Sequence, residues 1–586
     1  LHDIGKLNEN YQIEKMGLVD QFKKQKHSIG STHSNLSTFL FFAYLLEKAN
    51  KVNKFTDEEK GFLFIFILLF SMSIRKHHSS SLTSPFYYFE YAQDKEKTRF
   101  FETVDIMDLK KYLGTLHIEF NQAFHQNIFS WPNLEECFMK PFIQDFLKPI
   151  NSFTLYSLIK LNSSLLTISD YIATSAYMWN REIRCNGVID EKLREHIHKN
   201  FYSTQEYNKK LNDSLPKELN ELKERSGQKL NELRFKMAFD IKKKLFQESN
   251  INKNLFLLEA PTGGGKTNLS FMLVAELLKN RTDLNKVFYV FPFTTLATQT
   301  KQSINETFDL KTGDYIELHS KAGFKENSEK DGEYGDEIKN FIDYQFINYP
   351  FILLTHIKFF DIIKSHKKKD NYLYHKLANS IVIIDELQAY SPEHWDKIYY
   401  YLKNISELFN TVFIVMSATL PEIDKLKISK SPVFIDFIRL NQNRKGYFNN
   451  PNFSERVQFD LSMLSENKKS SLDDIMDRVF QESENYAALN NGQCRTLIEF
   501  IFKKAAGEFY EQIYDEAMLK GFEVKVLSGT ILEPVRKKLI SDLKSETAKE
   551  KDSKLILIST QVIEAGVDLD FDIGFKDTSI LDSDEQ

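Results

Sequence analysis

"LFLLEAPTGGGKTNLSFMLVAELL" occupies residues 255–278. It reads as a short apolar strand, a glycine-rich turn and an apolar helix. Gly263, Gly264 and Gly265 let the backbone turn tightly enough for several N–H groups to converge on phosphates at a helix N-terminus. Lys266 is then placed to reach the β- and γ-phosphates of ATP, and the Thr267 hydroxyl to hold Mg²⁺. Residues Thr262 to Thr267 are therefore the expected nucleotide-binding stretch. A glycine-rich turn with an exposed lysine would not need a strand and a helix in register on either side of it.

Downstream, "SIVIIDELQAY" (380–390) is an apolar run ending in Asp385 and Glu386. A strand buried on both faces would deliver these carboxylates to its C-terminal end, beside the glycine-rich turn. Asp385 is expected to hold Mg²⁺ and Glu386 to polarise the attacking water. Next come "MSATLP" (416–421), with Ser417 and Thr419, and "LILISTQVIEAGVDLDFD" (555–572), with Gly566 and Asp568 in the loop after a buried strand. Between these motifs, "VFYVF", "FILLT" and "TVFIVMSAT" alternate with helical stretches, and "RTLIEF", "EVKVLSG" and "KLILIST" begin a second such rhythm. That pattern predicts parallel α/β sheets. The order of the four motifs resembles the superfamily 2 helicases, in which two RecA-like lobes hold ATP between them. Helicases of that group commonly carry Ala where Ala260 stands.

The N-terminal third has a different character. "SNLSTFLFFAYLLEKAN" (34–50), "GFLFIFILLFSMSI" (61–74) and "LYSLIKLNSSLLTISDYIATSAYMW" (155–179) are apolar and helix-like, with little strand alternation. The run at 61–74 is shorter than the roughly 20 residues of a membrane span, and charges flank it, so a buried helix and no membrane partner are expected. "STQEYNKKLNDSLPKELNELKERSGQK" (203–229) is polar and reads as a linker containing a solvated helix. A chain of 586 residues needs several cores. Its net charge of -5 excludes a polybasic nucleic-acid binder, so any grip on nucleic acid must be local. Cys137, Cys185 and Cys494 are far apart and form no CxxC pair, which fits a reducing cytoplasm.

"HDIGK" (2–6), "THSNLST" (32–38), "RKHH" (75–78), "SDYIATSA" (169–176), "LEAPTGGGKT" (258–267), "IIDELQAY" (383–390), "SATLP" (417–421) and "STQVIEAGVDLDFDIGFKD" (559–577) together resemble one family. It is the CRISPR-associated helicase-nuclease of type I interference systems. The resemblance implies a multidomain chain: an all-α HD domain over 1–202, a linker over 203–229, and RecA-like lobes over 230–430 and 431–586, the second incomplete. It implies an HD site with two divalent transition metals (Mn, Ni, Co or Fe) that cuts single-stranded DNA, fed by 3′-to-5′ movement of the helicase. It also implies a monomer loaded by the RNA-guided Cascade complex. Carried over position by position, Asp3 bridges both ions, His2 and Asp170 complete one site, and His33, His77 and His78 complete the other. Imidazole with carboxylate suits such ions. Lys6 would steady a phosphate. His27 competes with His33, and "HSNLST" followed by an apolar helix favours His33.

The family has a further His upstream of His2-Asp3 and a final motif that Gln586 would open, so the sequence is expected to be cut short at both ends. "THIKFFDIIKSHKKKDNYLYHK" (355–376) mixes Lys and His with Phe and Tyr. It suits either backbone tracking with base stacking or a surface helix and loop between strands. Two other functions fit the same domains: an HD phosphohydrolase of nucleotides fused to a helicase motor, and a motor whose HD domain only binds a partner.

Overall fold

The computed structural model describes residues 2–7, 9–21, 54–78, 152–179, 187–292, 294–311, 314–318, 347–387, 390, 392–418, 437–462, 471–528, 531, 533–544, 554–560 and 569–577, with His33, Ser34, Ser37, Thr38 and a few positions up to 49. Before residue 187 the regular elements among these are all helices. The longest are α1 (Asp57–Lys76) and α2 (Ser152–Trp179). Thr56 starts α1 through a capping box: its hydroxyl accepts from the Glu59 N–H, and the Glu59 carboxylate accepts from the Thr56 N–H. The apolar run at 61–74 lies inside α1 and buries Ile65, Ile67, Leu69 and Ile74. Among the described residues no helix is long and apolar enough to cross a membrane.

The next helices are α3 (Glu191–Thr204) and α4 (Gly227–Leu245). A seven-stranded parallel sheet follows, made of β1 (Leu255–Glu259), β2 (Lys286–Phe291), β3 (Tyr315–Leu318), β4 (Phe351–Thr355), β5 (Ser380–Ile384), β6 (Val412–Ser417) and β7 (Ile438–Arg439). Their spatial order is β3-β4-β2-β5-β6-β1-β7. Helices α5 (Lys266–Asn280), α6 (Thr294–Phe308), α7 (His356–Lys364) and α8 (Trp395–Phe409) connect the strands. Alternate residues of β1 feed two cores, as a doubly covered sheet requires. Phe256 and Leu258 pack with Leu233, Met237 and Ile241 of α4 and with α5. Leu255 and Leu257 pack with Phe359 of α7 and with Leu402 and Ile405 of α8. Because every strand points the same way, the segments that follow β1, β4, β5 and β6 emerge along one edge of the sheet.

This first lobe draws on residues outside the 230–430 range. Ile197 and Phe201 of α3 are fully buried in its core, as are Leu222 and Tyr447, and β7 adds a strand beyond residue 430. The guanidinium of Arg194 donates to Leu278 O in the last turn of α5, where carbonyls lack a helical partner, and to Arg281 O and Leu284 O in the turn that follows. The stretch at 203–229 is likewise anchored, through Leu211 and Leu222. Single leucines in a polar run leave no periodic signal, which is why composition reads it as a linker. Phe201→Ala is expected to cost this lobe about 3–5 kcal/mol, measurable as a fall in its urea midpoint. An unchanged midpoint would detach α3 from the lobe.

The second sheet contains β8 (Cys494–Phe500), β9 (Glu523–Leu527), β10 (Lys554–Thr560) and β11 (Ile573–Lys576), all parallel, in the order β11-β8-β10-β9. Helices α9 (Leu472–Leu489) and α10 (Lys503–Leu519) supply Val479, Phe480, Phe509 and Ile513 to one face. On the other face Leu543 of α11 (Glu533–Lys544) meets Leu555 and Leu557.

Candidate functional site

The glycine-rich turn joins β1 to α5 with Gly263 at φ 77° and Gly265 at φ 84°. Both values lie in the left-handed region that glycine alone adopts cheaply. The Gly264 N–H donates to Pro261 O at 2.8 Å, tightening the turn, and a side chain at Gly264 would strike that same oxygen. Two arginines hold the turn from outside. Arg234 of α4 donates through Nε and Nη2 to Gly263 O, at 2.9 and 2.8 Å. Arg456 Nη1 donates to Thr262 O at 3.3 Å. With the Thr262 and Gly263 carbonyls held by guanidinium groups, an anion would be met by the N–H groups of the turn other than that of Gly264. Neither arginine carries a sequence signal: one lies on a charged helix 29 residues before Gly263, the other after β7.

Lys266 and Thr267 begin α5, and Lys266 Nζ lies 2.6 Å from Glu386 Oε1. The strand bearing Asp385 and Glu386 is not next to β1, because β6 lies between them. Two strand spacings, about 10 Å, separate the backbones, and the long Lys266 side chain spans the gap. Asp385 is buried. Burial raises its carboxyl, the charge of Glu386 raises it further, and Lys266 opposes both. Glu386 sits at φ 49°, a strained conformation for a residue with a side chain, of the kind found at functional sites. Ser417 ends β6 and accepts the Ala260 N–H. Thr419, Gln388, Gly566, Asp568, Gln586 and His27 lie outside the described residues. Arg234→Ala is expected to raise the KM for ATP about tenfold, in keeping with the loss of a doubly hydrogen-bonded cation, and Arg234→Lys to recover part of it. Steady-state ATPase measurements decide; equal KM values would remove Arg234 from the site.

The second cluster is assembled from four separate segments. His2 and Asp3 precede the 3-10 turn Ile4–Leu7. His33 is buried against that turn. Gly5 makes the approach possible: its N–H donates to Ser37 Oγ at 2.8 Å, and a side chain there would collide with His33 O. His77 and His78 lie at the C-terminal end of α1, and Asp170 projects from α2. Ligand atoms of His33, His77 and His78 all lie within 4.8 Å of one another, as do those of His2, Asp3 and Asp170. Asp3 joins the two groups. Its Oδ1 is 3.1 Å from His33 Nε2 and 3.7 Å from His77 Nε2, while its Oδ2 is 3.4 Å from His2 Nε2 and 2.6 Å from Lys6 Nζ. His2 Nε2 also lies 3.5 Å from Asp170 Oδ1, and His78 Nε2 lies 3.0 Å from His33 Nε2.

The electrostatics suit a cation. Burial alone would raise the Asp3 carboxyl, but the adjacent His33 imidazole, the Lys6 ammonium that donates to Oδ2 and the charge of His2 hold it well below the usual carboxylate range. Burial lowers His77, and burial together with the neighbouring His77 and His33 lowers His78 to about 4, so both imidazoles are biased toward the neutral form. His77 Nδ1–H donates to Ile74 O, which leaves the Nε2 lone pair facing the cluster. His2 Nε2, Asp3 Oδ1 and His77 Nε2 are shut off from solvent without a well-formed hydrogen bond. Buried polar atoms of this kind need a partner, and a nitrogen-oxygen donor set fits Mn, Fe, Co or Ni.

Phe359, Phe360 and Tyr374 are buried in the core, and Thr355 caps α7 through its hydroxyl.

Comparison with known proteins agrees with the motifs. A family model described as DEAD/DEAH box helicase matches residues 240–426, and one described as CRISPR-associated nuclease/helicase Cas3, C-terminal, matches residues 500–586. A CRISPR-associated nuclease/helicase Cas3 from Methanothermobacter thermautotrophicus is 25% identical over 340 residues, 56% of this chain and 37% of that protein. The crystal structure of T. fusca Cas3 is similar over 98% of this chain and 64% of that one, at 14% identity and a TM-score of 0.56. T. fusca Cas3 with AMPPNP gives the same coverage, at 13% identity and a TM-score of 0.53. The chain spans less than two thirds of the length of these relatives. At such identities the structural likeness shows the fold: parallel-sheet, RecA-like lobes in a Cas3-like arrangement.

Proposed function

We propose that this chain, which resembles the CRISPR-associated nuclease/helicases in sequence motifs and in fold, is an ATP-driven DNA helicase joined to a metal-dependent nuclease of single-stranded DNA. The observation that carries this reading is the convergence of His2, Asp3, His33, His77, His78 and Asp170 into one cluster, with three orphaned buried atoms, beside a lobe that carries a complete phosphate-binding turn.

In the motor, the Lys266 ammonium lies against the Glu386 carboxylate. Entry of a triphosphate draws the Lys266 ammonium onto the β- and γ-phosphate oxygens. That exchange releases Glu386, whose Oε1 then orients a water and accepts its proton. Asp385 and Thr267 would hold the Mg²⁺ that accompanies ATP. In the nuclease, His2, Asp3 and Asp170 would hold one transition metal, and His33, His77 and His78, with Asp3 shared, the other. The chemistry such ions supply is activation of a water and stabilisation of the leaving oxygen of a phosphodiester. Lys6 places an ammonium beside Asp3, where it can hold a non-bridging phosphate oxygen. Movement of the motor 3′ to 5′ along one strand would feed that strand to the cluster, with loading by the RNA-guided Cascade complex.

The test is to incubate the protein with Mn²⁺ or Ni²⁺ and either circular single-stranded DNA or free nucleotides. Linearised and shortened DNA is expected, with nucleotides untouched. Hydrolysis of nucleotides alone would make the cluster a nucleotide phosphohydrolase, and no hydrolysis of either would leave it a binding module.

A further inference from the structure

The metal cluster and the first lobe are joined through α2. Tyr156 OH donates to Ile363 O at 2.6 Å, Lys160 Nζ to Ser365 O at 2.6 Å, and Ser164 Oγ to Tyr372 O at 2.8 Å. Tyr374 OH donates in turn to Ser157 Oγ at 3.0 Å. These contacts fix α2 along the segment 363–374 of the motor lobe. The same helix carries Asp170, about 9 Å beyond Ser164 at 1.5 Å per residue. One residue of that lobe goes past α2 to the cluster itself. Lys368 Nζ donates to the backbone carbonyl of His77 and lies 4.8 Å from the centre of the Tyr171 ring, next to Asp170 in sequence.

The chemistry of this contact is specific. The last carbonyls of an α-helix have no helical donor, and a cation there is favoured by the helix dipole. His77 is the C-cap of α1, so Lys368 closes this end from another domain. His77 is also one of the cluster's histidines, and His78 follows it. Their ring nitrogens can meet His33 and Asp3 only if the end of α1 keeps its position.

We infer that Lys368 of the motor lobe is a positioning residue of the metal centre: by holding the His77 carbonyl and lying over Tyr171, it sets the geometry of His77, His78 and Asp170. The inference rests on the reading of the cluster as a metal site. A partner one layer behind the ligands typically changes metal affinity by 10–100-fold, about tenfold at the least. The motor would then contribute to the nuclease without touching DNA or metal.

The experiment is a Mn²⁺ titration of the full chain followed by electron paramagnetic resonance, for the wild type, Lys368→Met and Lys368→Arg. Lys368→Met keeps the apolar stem over Tyr171 but removes the donor. It is expected to weaken Mn²⁺ binding about tenfold and to raise by the same factor the Mn²⁺ needed for half-maximal cutting of single-stranded DNA. Lys368→Arg, which keeps a cationic donor at the end of α1, is expected to stay within about threefold of the wild type, and both variants to keep wild-type ATPase activity and melting temperature. If Lys368→Met melts early, its Mn²⁺ titration is made below its melting temperature, where a wild-type affinity still overturns the inference. Wild-type Mn²⁺ affinity in a folded Lys368→Met would overturn the inference and leave the metal site standing. A wild-type protein that binds no Mn²⁺ would instead overturn the reading of the cluster.

Discussion

Asp3→Ala is expected to abolish metal-dependent cutting of single-stranded DNA, by about 10³-fold or more, while ATP hydrolysis stimulated by DNA stays within about twofold of the wild type. Asp3 is the residue through which the two halves of the cluster meet: Oδ1 faces His33 and His77, and Oδ2 faces His2 and Lys6. Alanine would remove the carboxylate proposed to be shared by both ions and leave the Lys6 ammonium without its partner. Metal ions at such centres stabilise the transition state by several kcal/mol, and each 1.36 kcal/mol is tenfold in rate, so a loss near 10³-fold follows. Lys266, Asp385 and Glu386 sit at the edge of the first sheet and do not depend on Asp3. Cutting at the wild-type rate by Asp3→Ala would sink the nuclease reading.

Lys266→Ala should show the reverse pattern. Unwinding that depends on ATP is lost, with turnover falling about 10²–10³-fold, the loss that follows removal of one donor to a developing charge. Nicking of naked single strands with Mn²⁺ persists. The cause is local: Lys266 Nζ lies 2.6 Å from Glu386 Oε1. Without it, Glu386 and the buried Asp385 face each other with no positive neighbour from the turn. Retention of nicking is the informative half of the result. If nicking vanished in a folded Lys266→Ala protein, the two chemistries would not be separable.

Much of the motor was legible in the sequence, because a strand buried on both faces is an unbroken apolar run. β1, β2, β4, β5, β6 and β10 coincide with such runs, whereas in β8 (CRTLIEF) and β9 (EVKVL) charged residues interrupt the apolar ones. β3, β7 and β11 are not such runs: they are short and sit at the rims of their sheets, where polar residues are tolerated. Single anchors also escaped notice. Leu211, Leu222 and Phe201 each bury one side chain in otherwise polar stretches. The cluster was legible only as a resemblance, since His2, His33, His77 and Asp170 are scattered over 168 positions and no spacing rule joins them. Arg234, Arg456 and Lys368 were out of reach for another reason. Each acts on a backbone carbonyl, and a carbonyl has no letter in the sequence.

The central claim is that six side chains form one centre for two ions around Asp3. Crystals of the full chain soaked in Mn²⁺ and measured at the manganese edge test it most directly. Two anomalous peaks about 3.5–4 Å apart are expected, one near His2 and Asp170, the other near His33, His77 and His78, both touching Asp3. No peak, or a single peak that does not touch Asp3, would contradict the account.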